Sequence, residues 1–294
     1  MKDSDQMNIQ WYPGHMTKTR RQIEADIRQV DAVCEIVDAR IPMASRNTDI
    51  DAICGSKPRI LVLNRADLAD PEATKAWGEW FRRRGFAVLT TDCKSGRGVG
   101  QFSQTARTAC AEKLRRDAER GMNRPVRVMV VGIPNVGKST LINQISGRKG
   151  AKAENRPGVT RGKQWVTVDA SLQLLDTPGI LWPKFEDPRV GQLLAYTGAV
   201  KEDVLDVEEL ACRLAQLLHE HYPQALLERY KIDAPQGTPG WELLEQAGRK
   251  RGFLISGGEV NLERMCRVLL EEYRAGKLGK FTLERPAPVP ETTT

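Results

Sequence analysis

The octapeptide Gly132-Ile-Pro-Asn-Val-Gly137-Lys138-Ser139 constrains this chain more than any other stretch, because it demands its own surroundings. The pattern G-x-x-x-x-G-K-[ST] forms a phosphate cradle only where a strand runs into the loop and a helix leaves it. Both are expected here: VRVMVVG (126–132) is an apolar run of strand length, and a helix should start near Lys138. Loop N–H groups and the helix N-terminus favour a bound anion, so Asn135, Val136, Gly137, Lys138, Ser139 and Thr140 are the expected phosphate-contacting residues. Lys138 is placed to reach the β- and γ-phosphates and the Ser139 hydroxyl to ligate Mg²⁺. A glycine-rich turn can match by chance; the flanking strand and helix decide against that here.

A second apolar strand, LQLLDTPG (172–179), ends in Asp176-Thr-Pro-Gly179. An Asp there can hold Mg²⁺ through water and the Gly179 N–H can sense a γ-phosphate. Between the two lies RPGVT, whose Thr160 can add a hydroxyl to Mg²⁺. Taken alone, Asp-x-x-Gly is a common turn. In this order the three match the first motifs of a GTPase, yet the guanine reader does not follow them. RILVLNRAD (59–67), an apolar strand ending in Asn64-Arg65-Ala-Asp67, lies N-terminal to the phosphate loop. The Asp67 carboxylate can accept from N1–H and the N2 amine of guanine, a pair adenine does not offer. As a lone tetrapeptide it reads as a loop; beside a complete phosphate site it is the missing base reader. Asp92-Cys93-Lys94 ends the next strand, where a base-contacting turn belongs. The order is base reader, base turn, phosphate loop, first switch, second switch: a circularly permuted GTPase, which a parallel sheet tolerates because its strands keep their neighbours whichever loop is opened.

Strands are expected at 32–40, 59–64, 86–93, 126–132, 164–169 and 172–179, the last two as a hairpin, and helices at 16–30, 72–84 and about 98–120. Alternation of strand and helix indicates an α/β fold with a mostly parallel sheet. Beyond about 200, leucines at helical spacing in DVEELACRLAQLLHEHY and VNLERMCRVLLEEYRAGK indicate a small all-helical domain. The expected organisation is an N-terminal segment and helix (1–30), a permuted GTPase domain (31–200), a helical domain (203–283) and a Pro/Thr-rich disordered tail (286–294). The six cysteines form no Cys-x-x-Cys pair, so free thiols in a reducing cytoplasm are expected rather than zinc or disulfides. No run is long enough for a membrane helix and no signal core is present. A net charge of +7 favours an anionic partner without naming it. His219 and His221 fall on different helix faces, which argues against a metal site. Arg82-Arg83-Arg84 and Arg115-Arg116 read more simply as solvated helix faces than as a nucleic-acid site.

WYPGHMTKTRRQI (11–23), DARIPMASRN (38–47), NRAD, GIPNVGKST, RPGVT, DTPGI and KRGFLISGGEVNLERMCRVLLEEYRAGKLGKFTLE (250–284) together resemble the YlqF/RbgA family of ribosome-assembly GTPases. The resemblance implies GTP/GDP as ligand, late assembly of the large (50S) ribosomal subunit as the role, and its precursor and rRNA as partners. The helical domain would bind rRNA, docking in the GTP state and releasing on hydrolysis. A nucleotide-gated RNA chaperone with negligible turnover is the competing expectation, and an ATPase a third that Asp67 opposes. Ile180 stands where conventional GTPases carry a water-orienting Gln, and the family's proposed answer maps onto His15. Asn135 resembles an Asn that helps hold K⁺ near the phosphates. Two departures stand out: Arg65 replaces the usual Lys, and Asp-Cys-Lys replaces Ser-Ala-Lys. A cytoplasmic monomer with no membrane partner is expected.

Overall fold

The computed structural model describes residues 23–147, 164–177, 187–200 and 206–287. Chain contacts divide them into two compact units, one of residues 23–177 with 282–287 and one of residues 187–281.

The first unit is an α/β layer structure. Its elements run β1 (Ala32–Asp38), α1 (Asp49–Cys54), β2 (Arg59–Asn64), α2 (Pro71–Arg82), β3 (Ala87–Thr90), α3 (Phe102–Ala109), α4 (Ala111–Glu119), β4 (Val126–Val131), α5 (Lys138–Ser146), β5 (Gln164–Asp169) and β6 (Leu172–Asp176). The six-stranded sheet has the order β3-β2-β1-β4-β6-β5. All pairings are parallel except the β5–β6 hairpin. β1 is central, and every one of its seven residues is buried. Apolar side chains suit that position; Glu35 does not, and its charge is met by Arg46 (2.9 Å), Arg59 (3.1 Å) and the Asn47 N–H (3.1 Å). Beneath α2, Trp77 and Phe81 pack with Val37, Leu61 and Leu63 on one sheet face. Further across the same face, Ile23, Ile27 and Val30 pack with Val33, Met129 and Leu175. Asp70 caps α2 by accepting from the N–H groups of Glu72 and Ala73, and Pro71 supplies the preset φ of a first turn.

Two details depart from the sequence expectation. The helix expected over 98–120 breaks at Cys110, whose ψ of 14° leaves the helical range, so α3 and α4 turn separately. The strand expected over 86–93 closes at Thr90, because Asp92 folds the following residues into a turn.

The second unit holds α6 (Pro188–Tyr196), α7 (Val207–His221), α8 (Pro223–Tyr230), α9 (Gly240–Lys250) and α10 (Leu262–Arg274). Its core is the leucine set on α7 (Leu210, Leu214, Leu218), packed with Leu243, Leu244 and Ala247 of α9 and Met265, Leu269 and Tyr273 of α10. His219 is buried and its Nε2 meets the Pro235 carbonyl at 2.9 Å, a packing role. α6 belongs to this unit although the change of sequence texture falls nearer 200. Residues 282–285 return to the sheet unit. There the Leu283 N–H donates to the Arg40 carbonyl (2.8 Å), and the Glu284 carboxylate accepts from the N–H groups of Met43 (2.8 Å) and Ala44 (3.0 Å). The Trp77 indole N–H donates to the Glu284 carbonyl at 3.0 Å.

Candidate functional site

Five strands end at one edge of the sheet, and the sequence-predicted residues follow those ends. β1 and β2 run parallel with Asp38 opposite Asn64, β2 pairs β3, and β4 pairs both β1 and β6. From β1 the chain adds β2 and β3 on one side and then crosses to β4 on the other. The carboxyl ends of β1 and β4 therefore flank a topological switch point, where open α/β sheets form a crevice.

The phosphate loop leaves β4 into that crevice. A Cβ on Gly132 would lie 2.5 Å from the Ile36 carbonyl, and one on Gly137 would lie 2.5 Å from Asn64 Nδ2. Gly137 also has a φ of 109°, so close approach and backbone conformation both require glycine. α5 begins at Lys138, with Ser139 and Thr140 in its first turn. The Lys138 ammonium is folded back on the loop, donating to the carbonyls of Gly132 (3.0 Å) and Ile133 (2.8 Å). Burial pushes its pKa down from 10.5 to about 8, partly offset by the charge of Asp176. A buried cation held only by carbonyls and a neighbouring carboxylate fits an anion to be bound there. Asp176 sits at the end of β6 opposite Val130, and the next hydroxyl, on Thr177, donates to the Val130 carbonyl at 2.7 Å.

Asn64 joins the base reader to this loop. Its Nδ2 donates to the Val136 carbonyl at 2.8 Å, while its Oδ1 accepts from the Cys93 N–H (3.0 Å) and the Thr91 hydroxyl (3.1 Å). One buried side chain thus fixes the loops after β2, β3 and β4. Arg65, at a φ of 61°, donates from Nη2 to the Asn135 carbonyl at 2.5 Å and from Nη1 to Asp38 Oδ2 at 3.3 Å. Asp67 is half-buried two residues on. The Asp92 carboxylate accepts from the N–H groups of Lys94 (3.0 Å) and Ser95 (3.2 Å) and from the Ser95 hydroxyl, so its charge shapes the turn; these bonds hold its pKa below the ordinary carboxylate value against the opposing effect of burial. Burial pushes the Cys93 thiol up to about 11 and keeps it neutral.

Asn64, Arg65, Cys93, Asn135, Val136, Gly137, Lys138 and Asp176 are therefore brought to one crevice. His15, Thr160, Gly179 and Ile180 lie outside the described residues. No cluster of three or more His, Cys, Asp or Glu side chains suited to a metal occurs among the described residues. One hydroxyl (Ser139) and one carboxylate (Asp176) suit Mg²⁺, which takes few protein ligands and completes its shell from phosphate and water. Sequence reasoning missed Asp38 and Arg40. They lie in DARIPMASRN, but none of the five nucleotide motifs assigns that segment a role.

The sequence matches a family described as "50S ribosome-binding GTPase" over residues 127–229. A ribosome biogenesis GTPase A of Priestia megaterium is 44% identical over 284 residues, covering 96% of this chain and 98% of that one. Among solved structures, GDP-bound TM YlqF aligns with a TM-score of 0.64 at 28% identity, over 91% of this chain and all of the other. The GNP-bound YlqF from T. maritima gives 0.63 at 28% identity, over 92% of this chain and 100% of that one.

Proposed function

The chain belongs to the ribosome biogenesis GTPase A family, and from that premise we propose that it is a factor for late assembly of the large ribosomal subunit, docking on rRNA with GTP and leaving on hydrolysis. It is a GTPase with a role in ribosome assembly. The observation that supports the nucleotide part of this reading is Asn64, whose bonds tie the proposed guanine reader to the phosphate loop.

In that site the Asp67 carboxylate accepts from the N1–H and N2 amine of guanine, and the loop N–H groups of 135–140 donate to the phosphates. Lys138 leaves the carbonyls of Gly132 and Ile133 and turns its charge to the β- and γ-oxygens. Ser139, Asp176 and Thr160 would hold Mg²⁺, which neutralises phosphate charge when bound, and Asn135 would contribute to a K⁺ site. Ile180 has no hydrogen-bonding group for water, so His15 is proposed to place the nucleophile once a ribosomal particle fixes the N-terminal segment. The order of motifs, with the base reader first, is proposed to reflect a circular permutation; the neighbours of β4 in the sheet support it, since β1 and β6 flank the phosphate loop from opposite directions in the chain.

The helical unit supplies the docking face in this reading. Arg249, Lys250, Arg264 and Arg267 are exposed around the turn at 253–260. Arg249 and Arg267 are partly neutralised by Glu245 and Glu263 one turn away, so cationic character is moderate and salt-sensitive. No helix of the described residues is long and apolar enough to cross a membrane, and a cytoplasmic, monomeric factor is proposed. Large-subunit precursors pelleted with the protein test the reading. Retention is expected with a non-hydrolysable GTP analogue and loss with GDP, whereas retention independent of nucleotide refutes it.

A further inference from the structure

The loop after β1 holds a buried charge cluster that the nucleotide chemistry above leaves unused. Asp38 ends β1 and is 2% exposed. Its carboxylate accepts from Arg40 at the backbone N–H (3.0 Å), Nε (3.0 Å) and Nη2 (2.8 Å), and from Arg65 Nη1 (3.3 Å). Its own N–H donates to the Ser45 hydroxyl oxygen at 2.9 Å, so the carboxylate has little freedom to move. One anion thus faces two guanidinium groups. Arg40 stays inside, while Arg65 reaches onward to the Asn135 carbonyl.

The consequence lies in the geometry of the peptide bond. A trans peptide points its C=O and its N–H in opposite directions. Arg65 holds the carbonyl of Asn135 and Asn64 holds that of Val136, so two successive carbonyls of the phosphate loop are drawn toward the base reader. The N–H groups of Val136 and Gly137 are thereby turned the other way, as a phosphate cradle requires. Arg65 and Asn135 both adopt left-handed φ values, 61° and 59°, which residues with side chains rarely occupy without outside restraint. A guanidinium satisfies Asp38 and Asn135 together because its two terminal nitrogens are held in a fixed planar fork.

We propose that Asp38 is a positioning residue of the nucleotide site: by anchoring the Arg65 fork it sets the direction of the Val136 and Gly137 amides and hence the affinity for the β-phosphate. This rests on the guanine-nucleotide reading above. The test compares GDP with GMP, which lacks the β-phosphate, by calorimetric titration of the full chain and of Asp38→Asn, Arg65→Met and the double variant. Arg65→Met keeps an unbranched stem and removes the fork. Each single change is expected to weaken GDP about tenfold, the size of one lost hydrogen bond to a charged group. GMP should change less than about twofold on the same reasoning. The double variant should be no weaker than the weaker single, since both break one chain of contacts. The KM for GTP should rise with kcat at saturation retained. Should Asp38→Asn fail to fold because Arg40 loses its anion, Asp38→Asn with Arg40→Met replaces it and removes both charges. Unchanged GDP affinity in a folded Asp38 variant, equal losses for GMP and GDP, or additive losses in the double variant overturn the proposal. An unmutated protein that prefers ADP to GDP overturns the nucleotide reading, and this proposal with it.

Discussion

Replacing Asn64 by Ala is expected to be the most damaging single change outside the phosphate loop, because three loops depend on it. The substitution removes the bonds to Val136 O, Cys93 N–H and the Thr91 hydroxyl, at 2.8, 3.0 and 3.1 Å. Each buried bond is worth about 1 kcal/mol net, and leaving the Cys93 N–H and Val136 C=O desolvated adds to that, for a total near 3–5 kcal/mol. A domain of ordinary stability, roughly 5–15 kcal/mol, still folds after such a loss. The site does not survive it as a unit. If half of the loss must be restored when nucleotide binds, affinity falls by about 10- to 60-fold. Urea unfolding with and without GDP reads both effects at once, since a bound ligand raises stability by RT ln(1 + [L]/Kd). The Asn64→Ala variant should unfold at lower urea and show a much smaller GDP-dependent shift than the unmutated chain. Asn64→Asp keeps the two acceptor contacts but sets a carboxylate against the Val136 carbonyl, so it should spare the Thr91–Cys93 side and still lose GDP. A loss in Asn64→Ala below about 1 kcal/mol, with a GDP shift of normal size, would refute the idea that this side chain joins the loops.

Lys138 gives two opposite slopes with pH. Its pKa in the free protein is about 8, from 10.5, so between those values the unfolded chain binds the extra proton and stability of the nucleotide-free protein should rise with pH. GDP affinity should instead fall above about pH 8, with proton uptake on binding visible in calorimetry across buffers of different ionisation enthalpy; flat affinity from pH 7 to 9.5 would remove the role of its charge. In the helical unit, Glu272 accepts from Arg229 Nε (2.9 Å), the Tyr230 hydroxyl (2.7 Å) and Arg251 Nη2 (3.0 Å), and these contacts, Arg229 first, bring its pKa down from 4.5 to about 2. Its side chain is 7% exposed but the arginines are 34% and 30% exposed, so after screening Glu272→Gln should cost about 2 kcal/mol in urea unfolding at pH 7. That contribution is fully present above about pH 4.5 and is lost as pH falls through about 2, so the variant and the parent should converge in acid.

What was legible in the sequence is what has a local cause. The bounds of β2 and β5 follow from short apolar or alternating runs closed by polar residues, and the phosphate loop follows from glycines that no other residue can replace at Gly132 and Gly137. What escaped depends on partners far away in the chain. Glu284 closes the N–H groups of Met43 and Ala44 from 240 residues on, and no periodicity in FTLERP announces it. Thr282 and Leu283 were expected to belong to the helical domain, and yet the Thr282 hydroxyl donates to the Ala39 carbonyl at 3.1 Å in the sheet unit. Arg65 stands out in the sequence only as a replacement for the motif's usual Lys, and a side chain in a nucleotide motif invites a ligand-facing role. Its fork is instead committed to Asp38 and Asn135. The break at Cys110 had no glycine or proline to mark it.

The unusual order of motifs has a physical reading that needs only the sheet. A nucleotide meets side chains and amides at strand ends, and which ends are adjacent is set by lateral pairing, not by the order in which strands leave the ribosome. β1 lies between β2 and β4 through registers that put Asp38 beside Asn64 and Glu35 beside Val131. Those registers are fixed by the charged residue within buried β1, since a one-residue slip would turn Glu35 to the opposite buried face, away from Arg46. The loops after β2 and β4 are then held within hydrogen-bond reach of each other whatever connects them, and Asn64 closes the gap at 2.8 Å. Chain order is therefore free where pairing is not. Freedom of order has one local cost: β4 and β1 are joined through the long path over α1 to α4, so closure between their ends must come from side chains. Asn64, Arg65 and Asp38 are those side chains, which is why changes at them should reach the phosphate loop before they reach the sheet.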